Sequence, residues 1–287
     1  MESFPNIMLW ALPGFLGLVL VEFLVHAKKP NPRLRGYEKR DTITSGVMGA
    51  GSLLLDLLWK IPATAAYSAI YAATPLRISF AGLTILAILL GQDFFYYWSH
   101  RAHHMIRILW ASHVVHHSSR HFNLSTAIRQ SWTGFTAWIF YIPLIGLGVH
   151  PAALAFCSSM NLIYQFWIHT EKIKRLPYIL ELLFNTPSHH RVHHASQGSY
   201  LDRNFGGIMI VWDRIFKTFE PEVLRCDYGL TKNISTYNPL RVATHEYAQI
   251  LRDLRRSSGA RERTGHLVCS PKWSASHRNL QEKRRPE

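Results

Sequence analysis

Histidines are concentrated in two short segments of this chain, and that concentration limits what the chain can fold into. The sequence has 17 His beside 18 Asp plus Glu, and most of the histidines lie between His100 and His121 or between His169 and His194. Neutral imidazoles packed this densely are costly to bury unless hydrogen bonds or metal ions satisfy their nitrogens. The sequence therefore predicts a fold that brings these segments together around metal.

Three histidine boxes are visible in these segments. In the first, His100 and His104 are four residues apart and share one face of a helix, so both can reach one metal. The second and third boxes each contain the spacing HxxHH, which again places histidines on adjacent helical faces. The core candidates, taken both as metal ligands and as catalytic residues, are His100, His104, His113, His116, His117, His190, His193 and His194. Further candidate metal ligands are His103, His169 and His189.

The spacing alone does not identify the metal, because imidazole binds zinc, copper, iron and nickel alike. A zinc hydrolase therefore stays an alternative. The boxes lie at the ends of apolar segments, however, where alkyl chains without a hydrolysable group are within reach. Such substrates call for activation of O₂ by a redox metal, which favours a redox-metal oxygenase acting on a lipid.

Several apolar segments are long enough to cross a bilayer, whose hydrocarbon core takes about 20 helical residues. We predict spans at residues 7–25, 44–74 and 80–98, and a tight membrane hairpin formed by 132–149 and 152–168. The predicted fold is all-α, a multi-pass transmembrane helical bundle of four to five spans with the histidine boxes in a helical cap. The first segment lacks the features of a removed signal peptide, so we expect it to stay as an anchor.

Basic residues set the expected orientation in the membrane. Six Lys or Arg lie in residues 28–40, and the positive-inside rule places such a loop in the cytosol. Counting the spans then puts every box on the cytosolic side, in a bacterial inner membrane or the endoplasmic reticulum. The formal charge of +14 does not favour a nucleic-acid partner, because much of the excess lies in this loop and beyond residue 252 rather than on a recognition motif.

Composition divides the chain into four regions. Residues 1–78 hold the first membrane spans and the basic loop, 79–222 the catalytic domain, and 223–250 a C-terminal extension of the catalytic unit. Residues 251–287 are rich in Arg, Ser, Gly and Glu with few large apolar side chains, so we predict a basic, disordered tail. The three cysteines are widely separated and indicate neither a disulfide framework nor a cysteine zinc site.

The boxes and their surroundings resemble the membrane fatty acid hydroxylase/sterol desaturase superfamily, whose three boxes read HxxxH, HxxHH and HxxHH. The likeness is greatest to its alkylglycerol monooxygenase branch and covers roughly residues 93–220. The segments that carry it are YYWSHR (96–101), HHSS (116–119), NLSTA (123–127), QFWIHTE (165–171), NTPSHHRVHH (185–194) and WDRIF (212–216).

This resemblance implies two iron ions, O₂ and a lipid substrate. For the alkylglycerol branch it also implies cleavage of an ether bond with a tetrahydropterin as electron donor; a redox protein is the other donor to consider. The chain departs from the animal members in a shorter C-terminus and in Met105, which follows the first box where an acidic residue is expected. Another lipid, with a sterol or fatty acyl hydroxylase or desaturase activity, therefore stays an alternative.

Ligating imidazoles usually give their second N–H to a carboxylate or carbonyl oxygen. The polar residues near the boxes that could take this role, or could equally be helix caps or surface groups, are Asp93, Glu171, Asp202, Asn204 and Asp213. A membrane metal transporter or sensor is the alternative from a different class. It predicts ligands at the midplane of the spans, whereas the boxes lie beyond the predicted spans.

Overall fold

The protein is entirely helical in the part that the computed structural model describes, residues 7–134 and 136–283, where no strand occurs. This confirms the all-α prediction. Two long helices come first, α1 (Ile7–Lys28) and α2 (Lys39–Ala73), followed by α3 (Leu83–Met105) and α4 (Arg107–His117). The remaining helices are α5 (Leu124–Ala127), the 3-10 helix Ala137–Tyr141, α6 (Ile142–Gly146), α7 (Pro151–Trp167), α8 (Tyr178–Leu183), α9 (Pro187–His193), α10 (Val211–Ile215), α11 (Pro239–Arg256), α12 (Ala260–Val268) and α13 (Pro271–Lys283).

Helices α1 and α2 are the two described helices that are long and apolar enough to cross a membrane. Only 6% of the apolar window of α1 and 28% of that of α2 is buried, so neither is an ordinary core helix. Large side chains such as Leu16, Leu54 and Leu57 are exposed, as expected of helices that face lipid. Together these features support a membrane protein.

The predicted membrane hairpin does not form as two long helices. Helix α7 covers its second arm, but the first arm breaks into a short 3-10 helix, Ala137–Tyr141, and the single turn and a half of α6. Ten helical residues extend roughly 15 Å, half of the hydrocarbon thickness, so the prediction of a spanning helix over 132–149 is wrong. These short pieces pack instead against α3 and α7, where Ile88, Ile145 and Leu154 form one apolar core.

The basic loop 28–40 lies against the segments that carry the histidine boxes. The backbone N–H of Arg35 donates to Glu171, its guanidinium pairs with Asp227, and its carbonyl oxygen lies 2.9 Å from His121 Nδ1. In the same region Glu22 of α1 accepts hydrogen bonds from Tyr37 and from the backbone of Leu124. The loop and the boxes are therefore on the same side of any bilayer that α1 and α2 cross.

The C-terminal region is folded where it is described, so the predicted disordered tail is wrong for residues 252–283. Helix α11 continues to Arg256, and α12 and α13 follow it with short connections. Arg107 at the start of α4 holds this region by pairing with Asp253 and Glu246 at 2.7 Å each, and both Arg107 and Asp253 are 1% exposed. Only residues 284–287 of the predicted tail lie outside the described part.

We expect Asp253→Asn to destabilise the protein markedly, because it leaves the buried guanidinium of Arg107 without one of its counter-charges. Breaking a buried pair from one side costs about 3–5 kcal/mol of unfolding free energy. The measurement is thermal denaturation in detergent together with limited trypsin digestion of the C-terminal helices.

The matched control is Asp227→Asn, which removes a carboxylate from the exposed pair with Arg35. An exposed pair contributes about 0–1 kcal/mol, so this variant should behave like the wild type. Equal denaturation midpoints for the two variants would contradict the role given to Asp253.

Candidate metal centre

Helices α3 and α4 deliver the first two boxes to one place. His100 and His104 lie on the last turns of α3, and Ile106 in an extended conformation reverses the chain before α4 begins at Arg107. Helix α4 then returns antiparallel to the end of α3 and carries the second box. The third box lies on α9, and His169 follows the C-terminus of α7.

Five histidines form the first group, with one nitrogen of each lying within 4.8 Å of all the others. Within it, His113 Nε2 lies 2.9 Å from His100 Nε2 and 3.1 Å from His117 Nε2. The members are His100, His104, His113, His117 and His193. All three boxes therefore contribute to this group.

Four histidines form the second group under the same distance limit. His169 Nε2 lies 3.1 Å from His116 Nε2 and 2.9 Å from His190 Nε2. The members are His116, His169, His190 and His194. The two groups are in contact, since the rings of His117 and His194 stack with centroids 4.3 Å apart.

Helix periodicity explains how each HxxHH box divides between the groups. The first and last histidines of a box are four residues apart and lie on one face of the helix. His113 and His117 therefore point into the first group, and His190 and His194 into the second. The middle histidine of each box, His116 or His193, faces the opposite group. Each box thus links the two groups.

The histidine nitrogens of the two groups are better suited to binding metal ions than to burial in an apolar interior. Burial lowers the pKa of His116 to about 4 and that of His193 to about 3, so both rings are neutral at pH 7. The Nε2 atoms of His104, His193 and His194 are buried without a hydrogen-bond partner, which is costly unless a metal takes the lone pair. Two nitrogens bound at about 2.1 Å and at right angles lie about 3.0 Å apart, close to the distances between the paired Nε2 atoms.

Backbone carbonyl oxygens fix the rings from behind. The Nδ1 atoms of His100 and His193 lie 2.8 and 2.9 Å from the carbonyl oxygens of Phe205 and Arg203, and His169 Nδ1 lies 2.7 Å from that of Gln165. A carbonyl only accepts, so Nδ1 carries the proton and Nε2 presents its lone pair to the centre.

Of the predicted carboxylates, only Asp202 reaches a clustered histidine, with its Oδ1 3.4 Å from His104 Nδ1. Asp213 acts on the histidines indirectly. It accepts the N–H groups of Phe205 and Gly206 at 2.8 and 2.7 Å and so positions the Phe205 carbonyl oxygen, which orients His100. Asp202 adopts φ 57°, a backbone conformation that side chains other than glycine rarely take.

Asp93, Glu171 and Asn204 have other partners. Asp93 accepts from the backbone of Ile208 and Met209 and so anchors the loop that follows the third box. Glu171 accepts from the basic loop, as described above, and from Tyr228. Asn204 donates to the carbonyl oxygens of His189 and Glu220. These residues support the loops around the centre rather than its histidines.

Two candidate ligands lie outside both groups. His103 has both ring nitrogens engaged elsewhere, Nδ1 with the Ser99 carbonyl at 2.7 Å and Nε2 with the Thr136 hydroxyl at 2.9 Å. His189 places its Nε2 3.0 Å from Glu181. Each is one residue away from a histidine that does enter a group, and a helix turns about 100° per residue, which points these two side chains away.

Sequence reasoning missed two residues that shape the centre. Phe122 lies against the second group, with its ring centroid 5.7 Å from that of His169 and 5.1 Å from that of His194. Arg129 offers its carbonyl oxygen 3.2 Å from His116 Nδ1, while its buried guanidinium pairs with Asp41 of α2. Neither has a spacing signal in the sequence, because both reach the centre from a loop.

Comparison with known proteins agrees with this geometry. A family model described as "Fatty acid hydroxylase" matches residues 85–218, the stretch that contains all nine clustered histidines. That stretch is similar to the fatty acid hydroxylase family, in agreement with the superfamily that the boxes predict. No solved structure matches the chain.

The relatives extend the likeness beyond this stretch. Alkylglycerol monooxygenase of Homo sapiens is 40% identical over 281 residues, which are 95% of this chain and 61% of the relative. Alkylglycerol monooxygenase of Danio rerio is 41% identical over 278 residues, with the same shares. Ornithine lipid hydroxylase OlsE of Rhizobium tropici is 27% identical over 147 residues, 50% of this chain and 44% of the relative.

The chain thus spans about 61% of the length of the first two relatives. Their names describe oxygenases, in agreement with the predicted oxidoreductase class, and the predicted likeness to the alkylglycerol monooxygenase branch is confirmed.

We expect Asp202→Asn to weaken metal binding by about 10–100-fold, as is usual when an outer partner of a ligating histidine is lost. The variant keeps the shape of the side chain but removes the charge beside His104 Nδ1. Metal titration of chelator-treated protein gives the affinity.

Glu220→Gln is the control for this variant, because it makes the same charge change in the neighbouring loop, at a carboxylate not bonded to a clustered histidine. Its metal affinity should match that of the wild type. If Asp202→Asn also matched the wild type, the carboxylate would have no part in holding His104.

Proposed function

We propose that the protein is a membrane di-iron oxygenase that uses O₂ to hydroxylate a lipid. The observation that carries this proposal is the pair of adjacent histidine groups, five in one and four in the other, in which every ring is buried except the partly buried His113. The proposed ligands of the first ion are the members of the five-histidine group, and those of the second are the members of the four-histidine group. No described cysteine or carboxylate belongs to either group.

Iron is favoured over zinc by the class of the relatives. A zinc hydrolase would use the same imidazoles, but the relatives are named monooxygenase and lipid hydroxylase. Hydroxylation of a saturated carbon consumes one O₂, two electrons and two protons and yields an alcohol and water. The bound iron ions would supply the activation of O₂ that an unactivated C–H bond requires.

The side chains around the centre have three tasks in this proposal. Carbonyl oxygens behind the rings fix the tautomers of His100, His169 and His193. Phe122, Phe205 and Val192, which are 1%, 1% and 0% exposed, keep water away from the histidines, and this protects reactive species from side reactions. Asp93 and Asp213 hold the loop 203–210 in place, so that the carbonyl oxygens of Arg203 and Phe205 stay aligned with the rings of His193 and His100.

The substrate to test first is an alkylglycerol, because the relatives from Homo sapiens and Danio rerio are named for it. Hydroxylation of the carbon next to the ether oxygen gives a hemiacetal, which breaks down to an aldehyde and glycerol. A reduced pterin or a redox protein would supply the electrons. A sterol or fatty acyl substrate is the second candidate, and a more distant relative named Lathosterol oxidase, of Homo sapiens, supports the sterol.

The proposed location is an integral, multi-pass membrane protein with the centre facing the cytosol. The contact between the basic loop and the box segments supports a common side for both, and the positive-inside rule makes that side cytosolic. A metal transporter is disfavoured, because the nine clustered histidines lie outside α1 and α2, the two candidate spans.

We expect iron, and not zinc, to restore activity to protein stripped with a chelator. Fe²⁺ added under O₂ with a reductant should return aldehyde formation from 1-O-alkylglycerol to near the starting level, whereas Zn²⁺ binds imidazole equally well but cannot change oxidation state. Product is measured by mass spectrometry. Full activity with Zn²⁺ would favour a hydrolase over the oxygenase proposed here.

We also expect His193→Ala to abolish product formation while the protein still inserts into membranes, because the spans do not depend on this side chain. Iron content should fall at the same time, since His193 joins the third box to the five-histidine group. The measurements are iron per chain and product per chain in purified membranes.

His121→Ala is the internal control, because His121 lies outside both groups and its Nδ1 faces the carbonyl of Arg35. Its iron content and activity should be retained. Normal turnover by His193→Ala, or equal inactivation of both variants, would refute the ligand set.

A further inference from the structure

A third group of potential metal ligands lies in the C-terminal helices, apart from the nine clustered histidines. Glu262 and His266 are four residues apart on α12 and share one face. His277 on α13 faces them, because Cys269 and Ser270 turn the chain back between the two helices. The three side chains each offer one ligand atom within 4.8 Å of the other two.

The contacts hold these atoms toward one point. Glu262 Oε2 accepts from the backbone N–H and the hydroxyl of Ser258 at 2.9 and 3.0 Å, which turns Oε1 toward the imidazoles. Oε1 lies 3.0 Å from His277 Nε2 and 4.0 Å from His266 Nε2. Both Nε2 atoms therefore face the same carboxylate oxygen.

Trp273 fixes both rings. Its indole stacks on His277 with centroids 4.9 Å apart and planes inclined by 9°, and it meets His266 edge-on at 5.3 Å. Packing of this kind limits ring rotation and pre-organises a ligand set. His266 is 1% exposed and His277 is 33% exposed, so an ion can enter from the side of His277.

A tautomer with a free Nε2 is available to His266. Its Nδ1 lies 3.3 Å from the hydroxyl oxygen of Ser274, which can accept the Nδ1 proton. Arg107 Nη1 also lies 3.3 Å from His266 Nδ1, but its hydrogens have Asp253 Oδ2 at 2.7 Å and the carbonyl oxygen of His266 as acceptors. A ligating histidine usually has a hydrogen-bond partner of this kind at its other ring nitrogen.

The charges around the group suit a cation. Arg107 and Arg278 face the carboxylates of Asp253 and Glu246, which neutralise both guanidinium groups. The carboxylate of Glu262 adds a negative charge beside the imidazoles of His266 and His277. Two histidines and one glutamate are a zinc-binding set that leaves one position for water.

We propose that Glu262, His266 and His277 bind a divalent transition-metal ion of the zinc type, which fastens α13 to α12. This site is separate from the proposed di-iron centre and does not depend on the proposed function. Through Arg107, which contacts His266 and begins α4, the ion also supports the helix that carries the second histidine box. Loss of a direct ligand weakens such a site by at least the 10–100-fold typical of outer partners.

The test is zinc uptake by the purified iron-loaded protein in detergent, with zinc and iron measured together after equilibrium dialysis. The wild type is expected to take up one zinc per chain without losing iron. His277→Gln and Glu262→Gln should take up almost none at the same free zinc, while retaining their iron. His277 is partly exposed and near the C-terminus, so its replacement should leave the fold intact.

His121→Gln serves as the matched control, because it removes a histidine outside all three groups, and it should bind zinc like the wild type. A second readout is trypsin digestion, in which zinc should protect α13 in the wild type and the control but not in the two variants. Equal zinc uptake by the wild type and both variants, or uptake only in exchange for iron, would overturn the proposal.

Discussion

The structure depends on one electrostatic constraint, the need to bury nine neutral imidazoles with their Nε2 lone pairs facing inward. An acceptor that holds the Nδ1 proton from behind fixes a ring in this tautomer. Backbone carbonyl oxygens supply that acceptor for His100, His169 and His193. The loops around the centre must therefore run close to the helices that carry the boxes, and the rest of the domain is organised to keep them there.

Buried carboxylates keep the loop 203–210 in its place. Asp93 on α3 and Asp213 on α10 accept backbone N–H groups from this loop, and both are 1% exposed or less. The approach is so close that a side chain at Gly207 would place its Cβ 2.7 Å from Asp93 Oδ1. The two carboxylates thus stabilise a backbone that no regular helix could provide, because its carbonyl oxygens must point at rings rather than along a helix axis.

Much of the site could be predicted from the sequence, because local periodicity governs it. His100 and His104, four residues apart, do share one helical face, and the two HxxHH boxes divide between groups as the 3.6-residue repeat requires. His169 is the exception among the nine, since only its place after an apolar segment suggested a role. Phe122 and Arg129 could not be predicted, because they reach the centre from a loop whose path depends on distant contacts.

The all-α class of the fold could be predicted from the sequence. The folded C-terminal region and the broken first arm of the predicted hairpin could not. Composition suggested disorder beyond residue 251, yet Asp253 is fixed by Arg107, which lies far away in the sequence. Local composition carries no information on such a pair. The segment 132–149 is apolar enough to span a bilayer, but it is broken into short helical pieces that pack on α3 and α7.

The length of α2 has a consequence for the depth at which chemistry takes place. Its 35 residues extend roughly 52 Å, whereas a hydrocarbon core is about 30 Å thick, so a considerable part of α2 rises above the acyl region. That part is its N-terminal end, where Asp41, Thr44 and Ser45 are buried against the catalytic domain, and Asp41 holds the Arg129 whose carbonyl faces His116. In the proposed membrane arrangement, α2 sets the height of the histidines above the acyl chains. Carbons next to a headgroup of the proposed lipid substrate then lie nearest to that level, and the far end of an acyl chain lies furthest from it.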